Sequence, residues 1–323
     1  MSTQINAGTQ LGTIGVDEVL GEGGEPNAPK KRSIEARRPS GKRIATRTML
    51  NIAAAIVFVM SVFPVYWMVN MSFTPNDQII SRDPSFFPWS FTIQNYITAW
   101  TREAAQGQTD FPHALATSVT VTLGVLVATL LFAFLASIAV ARFHFKGRRA
   151  FIVSVLIVQM IPGEAMMFTI YGMIDDWRLI NTLLGLGIVY LASVIPFTIW
   201  TLRGFVAGVP ADLEEAAMID GCTKSQAFWK VTFPLLAPGL VATGLFGFIQ
   251  AWNEFTLALV VMTDPAKETL PVWLVSFSES RSRGVDWGAI MAGSTLIAVP
   301  VIIFFLVVQG RMVSGLTAGA VKG

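Results

Sequence analysis

Long apolar runs alternate with short polar segments along this chain, and that alternation predicts its elements. Six runs are long enough to cross a hydrocarbon core of about 30 Å, which takes about 20 helical residues. They lie within Thr48–Asn76, Phe111–Ala141, Ala150–Ile174, Leu179–Leu202, Val231–Thr263 and Trp287–Gly310. The first, second, fourth and sixth carry no Asp, Glu, Lys or Arg; the third and fifth carry one each, Glu164 and Glu254. In lipid every backbone N–H and C=O must be satisfied within the segment, so these runs are expected as helices. The fold class that follows is an all-α polytopic membrane protein with six transmembrane helices. Pro162-Gly163 should break or kink the third.

Two outer segments differ in character. Residues 74–112 contain Pro75, Pro84, Pro88, Trp89 and Trp100, with the phrase FTIQNYITAW reading as a short amphipathic helix at the surface. Residues 264–286, containing ETLPVWLVSFSES, read as a polar loop. Both are expected to face outward, toward an extracytoplasmic partner or as an interfacial aromatic belt.

Charge orients the runs. Lys and Arg number 23, and the residues preceding the first run hold eight of them, from Lys30 to Arg47. Arg142, Lys146, Arg148 and Arg149 follow the second run, Arg203, Lys224 and Lys230 the fourth, and Arg311 and Lys322 the sixth. The opposite side keeps six: Arg82, Arg102, Arg178, Lys267, Arg281 and Arg283. Positive residues collect on the cytoplasmic side, so both termini are expected there. Residues 1–48 read as a disordered, basic cytoplasmic leader that sets topology or meets anionic lipid, and 49–323 as the transmembrane body.

Composition sharpens the class. Only 14% of residues are charged, against about a quarter in soluble domains. That argues against a soluble enzyme, a nucleic-acid binder and a disordered scaffold. A single cysteine, Cys222, and two separated histidines, His113 and His144, speak against a metal centre.

One cytoplasmic loop has a sharp pattern, GFVAGVPADLEEAAMIDGCTKSQAFWKVTFPLLAPG, within 205–236 and its borders. Pro210 suits a helix start. Asp212, Glu214 and Glu215 meet the positive end of that helix. Gly221 is placed to end it in a left-handed conformation. Thr223 with Gln226 makes a capping box for a second helix, which Pro234 should halt before Pro238 leads into the fifth run. Four acids, Asp212, Glu214, Glu215 and Asp220, sit here against the positive-inside grain.

The loop resembles the EAA loop of ATP-binding-cassette (ABC) importer permeases. Glu215-Ala216-Ala217, three residues, Gly221, nine residues and then Val231-Thr232-Phe233-Pro234 match its spacing, with Val for Ile and Phe for Leu. FPVYWMVNMSF, FIQAWNEFTLAL and GLTAGAVKG are similar to phrases of the carbohydrate-uptake branch, the maltose-type inner-membrane subunits. The resemblance covers roughly 49–323. It implies a bacterial inner-membrane, multi-pass permease subunit of a type I importer for a di- or oligosaccharide. Its implied partners are a sister permease, two ATP-binding subunits, an extracytoplasmic solute-binding protein, the sugar and membrane lipid. It also implies that Glu215 pairs with a base on the ATPase, with Glu214, Ala216, Ala217, Asp220, Gly221 and Pro234 shaping the docking arm. The tail residues Gly315, Leu316, Thr317 and Lys322 would reach between the ATPase subunits.

No Gly-x-x-x-x-Gly-Lys-Ser/Thr phosphate loop occurs in the chain. ATP and Mg are therefore expected on the partner subunits, no cofactor on this chain, and no catalysis by it alone. Intramembrane polar residues mark a pathway or a partner contact. Gln250, Trp252, Asn253 and Glu254 offer amides beside an indole, suited to a sugar ring or to interhelical hydrogen bonds. Glu164, beside Met160, Met166 and Met167, is expected in protein or water rather than lipid. Competing readings are an ABC permease for a non-sugar solute and, from another class, a secondary transporter.

Overall fold

The computed structural model describes residues 41–80, 86–87, 89–101, 109–275 and 285–320. The chain divides into two units, 1–57 and 58–323. The described part of the first unit is the opening of helix α1 (Gly41–Ser72), so 41–48 is helical where the leader was expected to be disordered. Lys, Arg, Ile and Ala favour helix there, and extending an existing helix needs no new nucleus.

The second unit continues α1 and adds α2 (Asn76–Ile79), α3 (Gln94–Thr101), α4 (Phe111–Arg142), α5 (Arg148–Met160), α6 (Met167–Asp176) and α7 (Leu183–Gly208). It then holds α8 (Asp212–Ile219), α9 (Lys224–Ala227), α10 (Phe233–Trp252), α11 (Thr256–Val261), α12 (Leu270–Val275) and α13 (Trp287–Ala320). The surface helix expected from FTIQNYITAW is α3. Its buried Asn95 donates to the carbonyls of Ser72 (3.0 Å) and Thr74 (2.8 Å), tying α3 to the end of α1.

Among the described residues, five helices are long and apolar enough to span a membrane. The third expected span is a pair, α5 and α6, bent by 88°. Ile161, preceding a proline, is forced extended (φ −79°, ψ 120°), and a 3-10 turn over Gly163–Met166 restarts the chain. The break anticipated at Pro162-Gly163 is therefore a sharp corner rather than a kink in one span.

Helix α4 is the central element. Ser118, Thr122, Val125, Thr129, Ala133, Ser137 and Val140 form a buried seam of mostly small residues at three- and four-residue spacing. Small side chains let backbones approach closely where lipid supplies no hydrophobic drive between helices. On α10 the same device appears at Gly239, where a Cβ would lie 2.5 Å from the Phe205 ring of α7. Phe248, stacked on Phe304 at 4.1 Å, joins α10 to α13.

Two further expectations change. The fifth span stops at Trp252 rather than continuing to Thr263, because Asn253–Phe255 breaks the helix before α11. The supposed polar outer loop contains α12, whose Leu270 and Trp273 are fully buried against residues such as Phe111. Its apolar phrase LPVWLV packs inward, and Leu270 N–H is received by Ser118 Oγ at 2.8 Å.

Candidate functional site

The loop after α7 folds as a capped arm. Pro210 lies just before the cap of α8 rather than at its first residue. Asp212, Glu214 and Glu215 occupy the first turn, facing the partial positive charge of four unsatisfied N–H groups. At the other end Gly221 has φ +90°. Its N–H donates to Met218 O (3.1 Å) and that of Cys222 to Ala217 O (3.0 Å), the two bonds of a Schellman cap. Asp220 is the residue at which the helix stops, and it is exposed.

The second helix opens as its sequence predicts. Thr223 Oγ1 accepts from Gln226 N–H and Gln226 Oε1 accepts from Thr223 N–H, a complete capping box. Pro234, however, does not halt it. The chain is helical from Lys224 to Trp252. A π-helical turn over Phe228–Thr232 widens the coil, with Phe233 N–H bonded to Phe228 O. That wider turn absorbs the missing N–H and the ring clash that a proline brings to a regular helix.

The two glutamates of the EAA phrase have different surroundings. Glu215 is exposed, as are Ala216 and Asp220. Glu214 points inward: its Oε1 accepts from Thr232 Oγ1 at 2.6 Å and lies 3.4 Å from Arg142 Nη2. Both side chains of that ion pair are about one-fifth exposed. Arg142 also donates to Val209 O at 3.0 Å. The carboxylate thus ties α8 to the end of α4, to the end of α7 and to the π turn. Sequence reasoning missed Arg142 and Thr232 as members of this site. Arg142 counted there only as a topology charge, and Thr232 only as the variable position of the Val231–Pro234 ending.

A membrane-level cavity of about 540 Å³ lies between the α5–α6 corner, α7 and α10. Gln250 lines it, with Gln159 and Ser193 as further polar groups among Met166, Met173, Pro196 and Phe197. Gln159 and Ser193 were not singled out from sequence. Glu164 is exposed at the corner and is not among the lining residues.

The remaining intramembrane candidates have structural partners. Trp252 is 1% exposed, stacks on Phe248, and its indole N–H donates to Ile297 O at 3.3 Å. Its ring therefore offers no platform to a solute within this chain. Asn253 is the residue at which α10 ends, and its amide donates to Ile249 O at 3.0 Å. Glu254 accepts from the N–H groups of Leu257 (2.8 Å) and Ala258 (2.9 Å), so it caps α11. Gly315, Leu316 and Thr317 have helical backbone near the end of α13, and Lys322 lies outside the described residues.

The sequence pattern of a family described as "Binding-protein-dependent transport system inner membrane component" matches residues 133–317, from mid-α4 through the arm to the end of α13. The chain belongs to that family.

Relatives of this transport component share nearly their whole length with it. The diacetylchitobiose uptake system permease protein DasC of Streptomyces coelicolor is 47% identical over 277 residues, covering 86% of this chain and 98% of the relative. The trehalose transport system permease protein SugB of Mycobacterium tuberculosis is 36% identical, with 81% and 93% covered. The trehalose/maltose transport system permease protein MalG of Thermococcus litoralis is 33% identical, with 87% and 99% covered. A crystal structure of a bacterial ABC transporter importing alginate contains a chain of the same fold. Its TM-score is 0.69 at 21% identity, over 84% of this chain and 98% of that one. The protein is therefore a multi-pass, all-α membrane permease of a binding-protein-dependent transporter, a transport component rather than an enzyme.

Proposed function

We propose that this chain is one of two membrane-spanning subunits of an ATP-driven importer for a di- or oligosaccharide. Three curated relatives named for sugar uptake, at 33–47% identity and near full length, support the substrate class. The observation that carries the mechanism is the division of labour between adjacent glutamates. Glu214 is used up inside the subunit, whereas Glu215 stands exposed on a helix capped at its far end.

In this reading α8 docks in a cleft of an ATP-binding subunit, and Glu215 pairs with a base there. ATP and Mg belong to two such subunits. Closure of their dimer pushes α8, and Glu214 passes the push to the ends of α4 and α7 through Arg142. A sister permease supplies the other half of the path, and the cavity at Gln159, Ser193 and Gln250 lines this half. The basic residues flanking α4, α7 and α13 support a cytoplasmic position for the arm and both termini. The end of α13 then approaches the ATP-binding subunits, and a solute-binding protein docks on the opposite face.

The test is uptake by the assembled transporter in proteoliposomes with its binding protein, using labelled diacetylchitobiose, maltose and trehalose beside an amino-acid control. Glu215→Lys should abolish sugar-stimulated ATP hydrolysis and uptake while leaving assembly of the membrane pair intact. Unaltered coupling in that variant refutes the docking role. Uptake of the amino acid and of none of the sugars refutes the substrate class.

A further inference from the structure

Away from the arm, the turn between α4 and α5 builds a cationic cup at the edge of the apolar zone. A cavity of about 440 Å³ is lined by Arg148 and Arg149 of α5, Arg203 of α7, and the apolar Phe145 and Ile152. None of the three arginines forms an ion pair with a carboxylate among the described residues. Arg203 Nε is buried and donates to no acceptor there, while its guanidinium carbon sits 5.5 Å from the Trp200 ring. A buried guanidinium nitrogen left without an acceptor is costly, and an anion in the cup removes that cost. The start of α5 adds to the field. Its N-cap is Gly147, which offers no side-chain acceptor, and its first turn contains no acid.

The apolar surroundings identify the anion's carrier. No residue of α5 is buried within the subunit. Arg149, Val153 and Ile157 follow one another at four-residue spacing on one face, and Val153 and Ile157 are about half exposed. Cationic groups at the helix end with an open apolar stripe below them match a phosphate headgroup and its acyl chain. Basic pockets between helices at the cytoplasmic boundary take such headgroups.

We propose that Arg148, Arg149 and Arg203 form a binding site for the phosphate of an anionic phospholipid at the α4–α5 turn. The lipid anchors the corner made by α5 and α6, and so the wall of the transport cavity. The shared chemistry is a phosphate monoanion, which lipid or free inorganic phosphate could supply, and the stripe favours the lipid. This site depends only on the protein spanning a membrane, and its readout is independent of which solute is carried.

The test uses the intact transporter, purified with its partner subunits and placed in phosphatidylcholine nanodiscs with graded phosphatidylglycerol. Native mass spectrometry counts the phosphatidylglycerol retained. Each Arg→Gln change should raise the phosphatidylglycerol fraction needed for half-retention about fivefold, with Arg148→Gln/Arg203→Gln additive. Lys146→Gln, on the same turn but outside the cup, should behave as wild type. Equal retention by the double variant and wild type overturns the site. Should the double variant fail to assemble, Arg149→Gln alone carries the same expectation, and unchanged retention overturns it equally. Thermal stabilisation by inorganic phosphate at matched ionic strength, with no lipid retained, overturns the lipid assignment. So does a cross-link from Arg149→Cys to a partner subunit lying across the cup.

Discussion

The carboxylate of Glu214 is held between the hydroxyl of Thr232 at 2.6 Å and the guanidinium of Arg142 at 3.4 Å. Thr232 is buried, and the ion pair is mostly shielded from water. Removing one partner strands the others, which costs more than the net value of the bond. Glu214→Ala is therefore expected to lower stability by about 1–3 kcal/mol. Glu215→Ala, at an exposed position, should change stability by less than about 0.5 kcal/mol. Thermal unfolding in detergent distinguishes them, and the transport assay should show both variants impaired. Equal stability of the two single variants would remove Glu214 as the internal brace.

The brace also predicts non-additivity. Arg142→Ala and Glu214→Ala break the same interaction, so the double variant should lose less stability than the two single losses combined. A coupling of about 0.5–3 kcal/mol is expected for contacting residues. Full additivity in a double-mutant cycle would mean that the pair is a coincidence of position.

The arm was largely legible in the sequence because its signals are local. Gly221, Thr223 and Gln226 act within a turn of themselves, so spacing alone reveals the caps. The brace was not legible, since Arg142 lies more than 60 positions from Val209 and its role depends on how α4 and α7 pack. The six apolar runs located the spans but not their ends. Asn253–Phe255 carries no proline to announce the stop of α10, whereas Pro162-Gly163 announced the α5–α6 corner without revealing its 88° angle. Pro234 misled because a π turn, invisible in composition, accommodates it.

The cap itself can be probed at Gly221. At φ +90° an L side chain meets the following carbonyl, with a cost of roughly 1–2 kcal/mol. No neighbouring atom lies within 4 Å of a Cβ built there, so the effect is conformational and not a clash. Gly221→Ala should lose about that much stability, and Gly221→Asn less, because Asn tolerates the left-handed region. A Gly221→Asn variant as destabilised as Gly221→Ala would argue against a purely backbone cause.

Glu254 separates a structural role from direct solute contact. Both carboxylate oxygens receive N–H groups from the start of α11, and Tyr190 OH donates to the Glu254 backbone carbonyl at 3.3 Å. Loss of a helix cap costs about 1 kcal/mol. Glu254→Ala should lower thermal stability and maximal uptake together, with the half-saturating sugar concentration within about twofold of wild type. An unchanged melting temperature with a large rise in that concentration would identify Glu254 as a solute ligand instead.

Asp110 gives the start of α4 a pH dependence with a definite sign. Its Oδ1 accepts from the His113 backbone N–H at 2.9 Å and lies 2.6 Å from His113 Nδ1. The backbone bond, followed by the side-chain and charge contacts of His113, holds the carboxyl below its ordinary value of 3.8 against the opposing effect of partial burial. A carboxyl that binds protons less readily when folded contributes stability above its unfolded value. That contribution disappears as pH falls through the lower, folded one. Asp110→Asn retains a good cap without the charge. Wild type should therefore match or exceed Asp110→Asn at pH 7, and its advantage should shrink as pH falls below about 4. Asp110→Ala should be less stable than both at pH 7, by about 1 kcal/mol. Melting curves of the three proteins at pH 7, 5 and 3 provide the comparison, and an advantage of wild type over Asp110→Asn that grows on acidification would reverse the assigned sign.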